Sequence, residues 1–207
     1  YTIDRDCDLV DHYLGEVLDV RAGSVVAHDR GDSVALTFAS RCSSGATPFE
    51  LGQLVLSNGN MFLPLSNLTI FQRLALDPAT APQVLAAATP EVLATGMGEN
   101  TFTPPRGLED PAIAALAHTF AYNDGIAVLH DTIQYLVERS QDEESWLQAL
   151  AAMDVPTTFI WGVYDTISPP RVVNYVWNEF MMMKPGPNSL YFIPDAGHYL
   201  QNDQPEG

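Results

Sequence analysis

The stretch Ser24–Ala35, which reads Ser-Val-Val-Ala-His-Asp-Arg-Gly-Asp-Ser-Val-Ala, constrains the fold of this chain more than any other. Small and apolar residues lead into His28, Asp29 follows at the break, and Gly31 precedes an apolar-periodic run. This pattern predicts a strand, a sharp turn and a helix. Such a turn holds its apex side chain above the end of a sheet and points the first free helix amides at whatever binds there. The predicted apex is Asp29.

The composition restricts the class of protein and its partners. With 207 residues, of which 46% are hydrophobic, the chain can bury a sizeable core in one domain with an inserted subdomain. Nine basic residues against 26 acidic ones give a formal net charge of −17, which argues against nucleic acid and anionic membrane partners. No apolar run reaches the length that we expect of a membrane span.

The cysteines predict neither a disulfide framework nor a metal site. Cys7 and Cys42 lack metal-ligand spacing, so we expect both to be small packing residues. The chain opens Tyr-Thr-Ile-Asp-Arg-Asp, without a basic and apolar signal segment. A reducing cytoplasm is the expected location.

Apolar periodicity predicts strands that alternate with helices. The predicted strands span Ser24–His28, Gln53–Ser57, Thr157–Trp161 and Ser189–Ile193. The predicted helices span Asp4–Leu18, Gly31–Arg41 and about Asp124–Arg139, and another opens at Pro169. Prolines separate short helical patches between residues 61 and 148, which predicts a helical insertion. The chain therefore divides into core segments 1–60 and 149–207 around an insertion at 61–148.

Strands separated by helices predict an α/β fold with a doubly wound, mainly parallel sheet, whose functional loops leave the carboxyl ends of the strands. Asp29, Asp165 and His198 each follow such a strand end. The strand before Asp29 is apolar throughout, as in a central strand buried on both faces. At the edge of a sheet it would be an aggregation hazard. We therefore expect an internal fragment that lacks its N-terminal strands and a final helix.

The order acid, acid, histidine at three strand ends suits nucleophilic catalysis. This pattern resembles the α/β-hydrolase superfamily. The segment His28-Asp29-Arg30-Gly31 resembles its aspartate-nucleophile branch, which holds epoxide hydrolases and haloalkane dehalogenases. Together with Leu56-Ser57-Asn58-Gly59 and Asn123-Asp124-Gly125, it is most similar to the mesoderm-specific-transcript-like hydrolases. The resemblance implies a hydrolase core, with residues 61–148 as a helical cap.

The resemblance also implies roles for individual residues. Asp29 would attack an electrophilic carbon of a small molecule to form an ester, and His198, paired with Asp165, would activate the water that hydrolyses it. The backbone amide of Arg30 would be one oxyanion donor. Two residues of the insertion, Tyr122 and Tyr135, would donate to an epoxide oxygen. The mechanism implies no metal and no organic cofactor.

Several positions leave other interpretations open. Dehalogenases carry a tryptophan where this chain has Arg30, but a haloalkane or haloacid dehalogenase would use the same mechanism. Ser33, within Gly31-Asp32-Ser33-Val34-Ala35, imitates a serine elbow and would make the protein a serine esterase. Asp29 could serve only as a helix N-cap, in a binding protein that kept the fold without turnover. The Arg30 side chain either favours an anionic substrate or pairs with a nearby acid such as Asp32.

Overall fold

The computed structural model describes residues 1–206. Its centre is a four-stranded parallel sheet in the order β1-β2-β3-β4. The strands are β1 (Ala22–His28), β2 (Glu50–Ser57), β3 (Thr157–Gly162) and β4 (Ser189–Ile193). Because neighbouring strands are parallel, their carboxyl ends meet at one edge of the sheet.

Within residues 1–206, ten α-helices accompany the sheet. They are α1 (Ile3–His12), α2 (Arg30–Ser44), α3 (Ile70–Leu76), α4 (Ala81–Ala86), α5 (Pro90–Thr101), α6 (Pro111–Ala121), α7 (Leu129–Ile133), α8 (Tyr135–Ala152), α9 (Pro170–Val176) and α10 (Leu200–Asp203). Between β2 and β3 the chain is helical wherever it is regular, and α3 to α8 all lie there. The domain boundaries at 60 and 148 stay a prediction, and the second falls within α8.

The main core joins the sheet to α2, α8 and α9. Phe159 and Trp161 of β3 are fully buried, together with Leu54 and Leu56 of β2. Each buried side chain of this size contributes about 2 kcal/mol of transfer free energy. The two cysteines are free thiols, and both belong to a smaller apolar cluster around Phe38 and Phe49.

Strand β1 is the exposed apolar edge strand that the sequence analysis described as an aggregation hazard, and the expectation of missing strands beside it stays a prediction. It lies at one edge of the sheet in residues 1–206, and Val26 is 76% exposed. Only its carboxyl-terminal part approaches the core, where Ala27 is 9% exposed. That buried end carries the turn to α2.

The predicted helix at 124–139 is wrong in its boundaries. Asn123 and Asp124 have φ values of 48° and 56° inside a 3₁₀ segment, Tyr122–Val128, and α7 is a separate short helix. Asn and Asp tolerate this left-handed conformation better than other side chains. The long helix of this region is α8, which begins at Tyr135 and continues to Ala152.

The segment Pro111–Ile133 changes the expectation about membrane spans. An 18-residue window within its 23 residues has a mean hydropathy of 1.2, so by length and composition alone the segment is long and apolar enough to cross a membrane. The left-handed residues Asn123 and Asp124 divide it into α6 and α7. The expected absence of membrane partners therefore stays a prediction.

Candidate active site

Asp29 lies at the turn between β1 and α2 in a conformation that is rare for non-glycine residues. Its φ is 51° and its ψ is −114°. Residues held in such regions store local strain, and they are concentrated at functional sites. The Asp29 carboxylate makes no hydrogen bond that caps α2, so the N-cap interpretation is not supported. The turn instead holds this side chain at the carboxyl end of the sheet.

His198 lies between the two aspartates predicted from the strand ends. Its Nδ1 atom is 3.0 Å from Oδ2 of Asp165, and its Nε2 atom is 3.7 Å from Oδ1 of Asp29. Burial lowers the pKa of His198, but the hydrogen bond to Asp165 and the charge of Asp29 outweigh it, so the pKa is raised above its ordinary value. The imidazole is thus placed to hold a proton next to Asp29.

Asp165 is fixed by its own loop. The backbone N–H groups of Ile167 and Ser168 donate to its Oδ1 atom at 2.8 and 2.9 Å, which leaves Oδ2 for His198. Asp165 is 3% exposed and His198 is 4% exposed. A buried carboxylate with these bonds orients the imidazole and stabilises its protonated form.

Asn58, which the sequence analysis names only within the segment Leu56-Ser57-Asn58-Gly59, joins three strand ends. Its Nδ2 donates to the carbonyls of Gly197 and His198 at 2.9 and 3.1 Å, and its Oδ1 accepts from the N–H of Gly162 at 3.0 Å. The side chain is fully buried. Asn58 therefore fixes the histidine loop against the sheet.

A cavity of about 740 Å³ opens beside Asp29 and His198. This volume is ordinary for a small-molecule site. Most of its lining comes from the region between β2 and β3, and the apolar part includes Leu68, Phe71, Leu93, Met97, Phe120 and Leu129. The cavity therefore joins Asp29 and His198 to an apolar chamber.

The structure brings one of the two predicted tyrosines to this cavity. Tyr135 lines it and is 8% exposed, and burial raises the pKa of its hydroxyl above the ordinary value. Tyr122 is 67% exposed and lies outside the lining, because α6 ends there and the left-handed residues after it form a surface turn. Sequence reasoning missed Tyr199, which lines the cavity and whose pKa burial also raises. Its position directly after His198 is the signal that could have identified it.

The Arg30 side chain pairs with an acid, but not with Asp32. Its guanidinium makes an ion pair with Asp6 of α1 and lies 5.3 Å from the centre of the Tyr135 ring. Asp32 is fully buried and accepts from the N–H of Ser57 at 3.4 Å. Arg30 still lines the cavity, with its charge offset by Asp6.

Ser33 does not occupy a nucleophile position. It lies within α2, is 3% exposed, and its Oγ accepts a hydrogen bond from Nε of Arg139 at 2.8 Å. It does not line the cavity, whereas Asp29 does. The serine-elbow alternative therefore lacks the exposed apex that it requires.

Within residues 1–206, no cluster of three or more His, Cys, Asp or Glu side chains is arranged to hold a metal ion.

Comparison with known sequences finds LipZ, which is named as a hydrolase, and the mesoderm-specific transcript proteins among the relatives of this chain. Sequence models of known protein families give no match. LipZ of Mycobacterium tuberculosis, named as a hydrolase, is 30% identical over 182 residues, which cover 88% of this chain and 61% of LipZ. The mesoderm-specific transcript homolog protein of Bos taurus is 27% identical over 223 residues, which cover 100% of this chain and 62% of that protein. The chain thus spans less than two thirds of the length of these relatives.

Solved structures agree on the architecture. An α/β hydrolase fold protein from Burkholderia ambifaria matches with a TM-score of 0.73 at 20% identity, over 99% of this chain and 70% of that one. A thermophilic esterase from Thermogutta terrifontis matches with a TM-score of 0.71 at 18% identity, over 100% of this chain and 68% of that one. At these identities the likeness establishes the fold and not the substrate. The predicted fold is confirmed: this chain has the α/β-hydrolase fold.

Proposed function

We propose that this protein is a hydrolase that acts through a covalent ester on Asp29, with epoxides as its substrates. The observation that carries the proposal is the position of the His198 imidazole, 3.0 Å from Asp165 and 3.7 Å from Asp29. This is the arrangement of nucleophile, base and orienting acid that covalent catalysis requires. The similarity to LipZ, named as a hydrolase, agrees with it.

In the first half-reaction, a carboxylate oxygen of Asp29 attacks an epoxide carbon. A carbon–oxygen ester bond forms, the epoxide carbon–oxygen bond breaks, and its electron pair stays on the former epoxide oxygen. The Tyr135 hydroxyl gives its proton to that oxygen. Burial, which raises the pKa of Tyr135, keeps the hydroxyl protonated until this step.

In the second half-reaction, His198 takes a proton from water while the water oxygen attacks the carboxyl carbon of Asp29. The resulting oxyanion meets the backbone N–H of Arg30, which as the first residue of α2 has no intrahelical acceptor. The ester bond then breaks, the product oxygen takes the proton from His198, and the diol leaves. The new carboxylic acid loses its proton, which restores the Tyr135 hydroxyl.

The polar lining of the cavity favours epoxides over the alternative substrates. Tyr135 and Tyr199 both line it, and hydroxyl donors suit an epoxide oxygen. No tryptophan within residues 1–206 lines it, so an indole donor for a halide is lacking there. Asp6 offsets the charge of Arg30, which weakens the case for a haloacid.

A substrate panel tests the proposal. The protein is incubated separately with styrene oxide, bromohexane and p-nitrophenyl butyrate, and the Asp29→Asn and Ser33→Ala variants are assayed in parallel. We expect hydrolysis of the epoxide that depends on Asp29 and not on Ser33. Ester hydrolysis lost in Ser33→Ala, without epoxide turnover, would contradict the proposal.

A further inference from the structure

Arg139 of α8 is a fully buried arginine that touches the elbow and has no place in the mechanism so far. Its Nη2 donates to the backbone carbonyl of Asp29 at 3.2 Å, and its Nε donates to Oγ of Ser33 at 2.8 Å. Its Nη1 is buried and has no hydrogen-bond partner among residues 1–206. Its guanidinium also lies 5.2 Å from the centre of the Tyr135 ring. The buried charge thus lies between the elbow and a residue that lines the cavity.

Neither hydrogen-bond acceptor of this guanidinium carries a charge. Burying a cation without a directly bonded carboxylate is unfavourable, and an unsatisfied N–H adds to the cost. A buried carboxylate, Asp32, lies near enough for Arg139 to lower its pKa, although burial raises that pKa overall. An apolar side chain would fill the same space without this cost, so packing alone does not account for an arginine here.

The contact with the Asp29 carbonyl has a consequence for the next residue. The carbonyl of Asp29 and the N–H of Arg30 belong to one planar peptide group, and in a trans peptide they point in opposite directions. Fixing the carbonyl therefore fixes the direction of the N–H. The N–H of Asp32 also donates to this carbonyl, at 3.1 Å, so Arg139 supplies a second and charged donor.

We propose that Arg139 is a positioning residue, which holds the Asp29–Arg30 peptide so that the Arg30 N–H faces the oxyanion formed on Asp29. The inference rests on the proposed function, because that oxyanion exists only if Asp29 forms an ester. It assigns a role to a residue of α8, which lies in the chain between β2 and β3. The elbow is thereby supported from the helical region as well as from the sheet.

The two half-reactions distinguish positioning from simple structural support. The oxyanion develops when water attacks the ester, and it does not develop when the ester forms. Loss of orientation therefore slows hydrolysis of the ester more than its formation. A general loosening of the fold slows both steps or lowers the amount of active protein.

The test measures both half-reactions by rapid quench with styrene oxide, followed by intact-protein mass spectrometry. Arg139→Met removes every donor, while Arg139→Lys keeps a charged donor of different shape. Arg73→Met is the matched control, because Arg73 also donates to a backbone carbonyl, that of Leu68 at 3.1 Å, from an exposed position.

We expect Arg139→Met to slow ester hydrolysis by about 10-fold or more relative to ester formation, so that the ester accumulates. Arg139→Lys should lie between this variant and the wild type, and Arg73→Met should match the wild type. Equal slowing of both steps by Arg139→Met, or no slowing of hydrolysis, would overturn the inference.

If Arg139→Met fails to fold, the comparison of Arg139→Lys with the wild type decides by the same criterion. An ester on Asp29 in the wild type separates failure of this inference from failure of the proposed function. Its absence there and in His198→Gln overturns both.

Discussion

The Nε2 atom of His198 and the Oδ1 atom of Asp29 lie 3.7 Å apart, too far for a strong hydrogen bond and close enough for their charges to interact. The other imidazole nitrogen is held by Asp165 at 3.0 Å. His198 is thus fixed on one side and leaves the Asp29 carboxylate available on the other. Contacts of this kind are often long in unliganded enzymes and tighten when substrate binds.

Asp29→Asn should reduce epoxide turnover by about 10⁴-fold or more, because the amide cannot act as the nucleophile. The fold should be unchanged, since the side chain caps no helix and is 32% exposed. Steady-state kinetics and circular dichroism measure the two effects. Asp195→Asn is the matched control, because Asp195 is exposed and has a positive φ of 56°. Near-normal activity of Asp29→Asn would refute the nucleophile role.

His198→Gln should trap the ester, because formation of the ester needs only Asp29 whereas its hydrolysis needs the base. Intact-protein mass spectrometry after incubation with styrene oxide should show one added substrate mass on the peptide that holds Asp29. Wild-type protein quenched after turnover should show little or none. A variant that is inactive and carries no adduct would mean that His198 acts before the ester forms.

The pH dependence should report the raised pKa of His198. Hydrolysis of the ester needs neutral imidazole, so turnover should fall as the pH decreases through a midpoint above the ordinary value of 6.5. Asp165→Asn removes the hydrogen-bonded charge and should move this midpoint down. The free energy of unfolding depends on pH with the opposite sign. Protonated His198 stabilises the fold below its unfolded-state pKa, and this contribution is lost as the pH rises through the folded-state pKa. An unchanged midpoint in Asp165→Asn would argue that another group titrates.

Tyr135→Phe should slow epoxide opening by about 10²-fold, because the proton donor to the leaving oxygen is lost. Any turnover of bromohexane should change little, since bromide leaves without a proton. Single-turnover formation of the ester measures this step directly. Tyr122→Phe is the control, because Tyr122 is 67% exposed and lies outside the cavity lining. Equal effects of Tyr135→Phe on both substrates would make Tyr135 a packing residue.

The elbow could be predicted because its signal is local. A strand, an acidic residue and a helix follow one another within Ser24–Ala35, and Asp29 stands between the strand and the helix in the structure. Crowding does not require a glycine at position 31, because a Cβ there would lie 3.8 Å from the Cβ of Ala27, an ordinary contact. The meeting of Asp165 and His198 could likewise be predicted without any knowledge of packing, because the carboxyl ends of parallel strands lie at one edge of the sheet.

Arg139 and Asn58 could not be predicted in the same way. In the sequence, Arg139 stands in a charged run of α8 that is typical of an exposed face, yet Arg139 and Glu143 are buried. The role of Asn58 depends on three segments far apart in the chain that meet only after folding. Tyr122 is the opposite case: it was predicted at the site but is exposed, because the left-handed residues after α6 form a surface turn. Long-range packing decides such positions, and periodicity does not record it.

The most direct test of the central claim is a single turnover of styrene oxide in oxygen-18 water, followed by mass spectrometry of the peptide that spans Asp29. Water attacks the carboxyl carbon in the proposed second half-reaction, so one heavy oxygen should remain on the Asp29 carboxylate. The diol should carry none from that turnover. Heavy oxygen in the diol together with an unlabelled Asp29 would contradict the account, because water would then have attacked the epoxide directly.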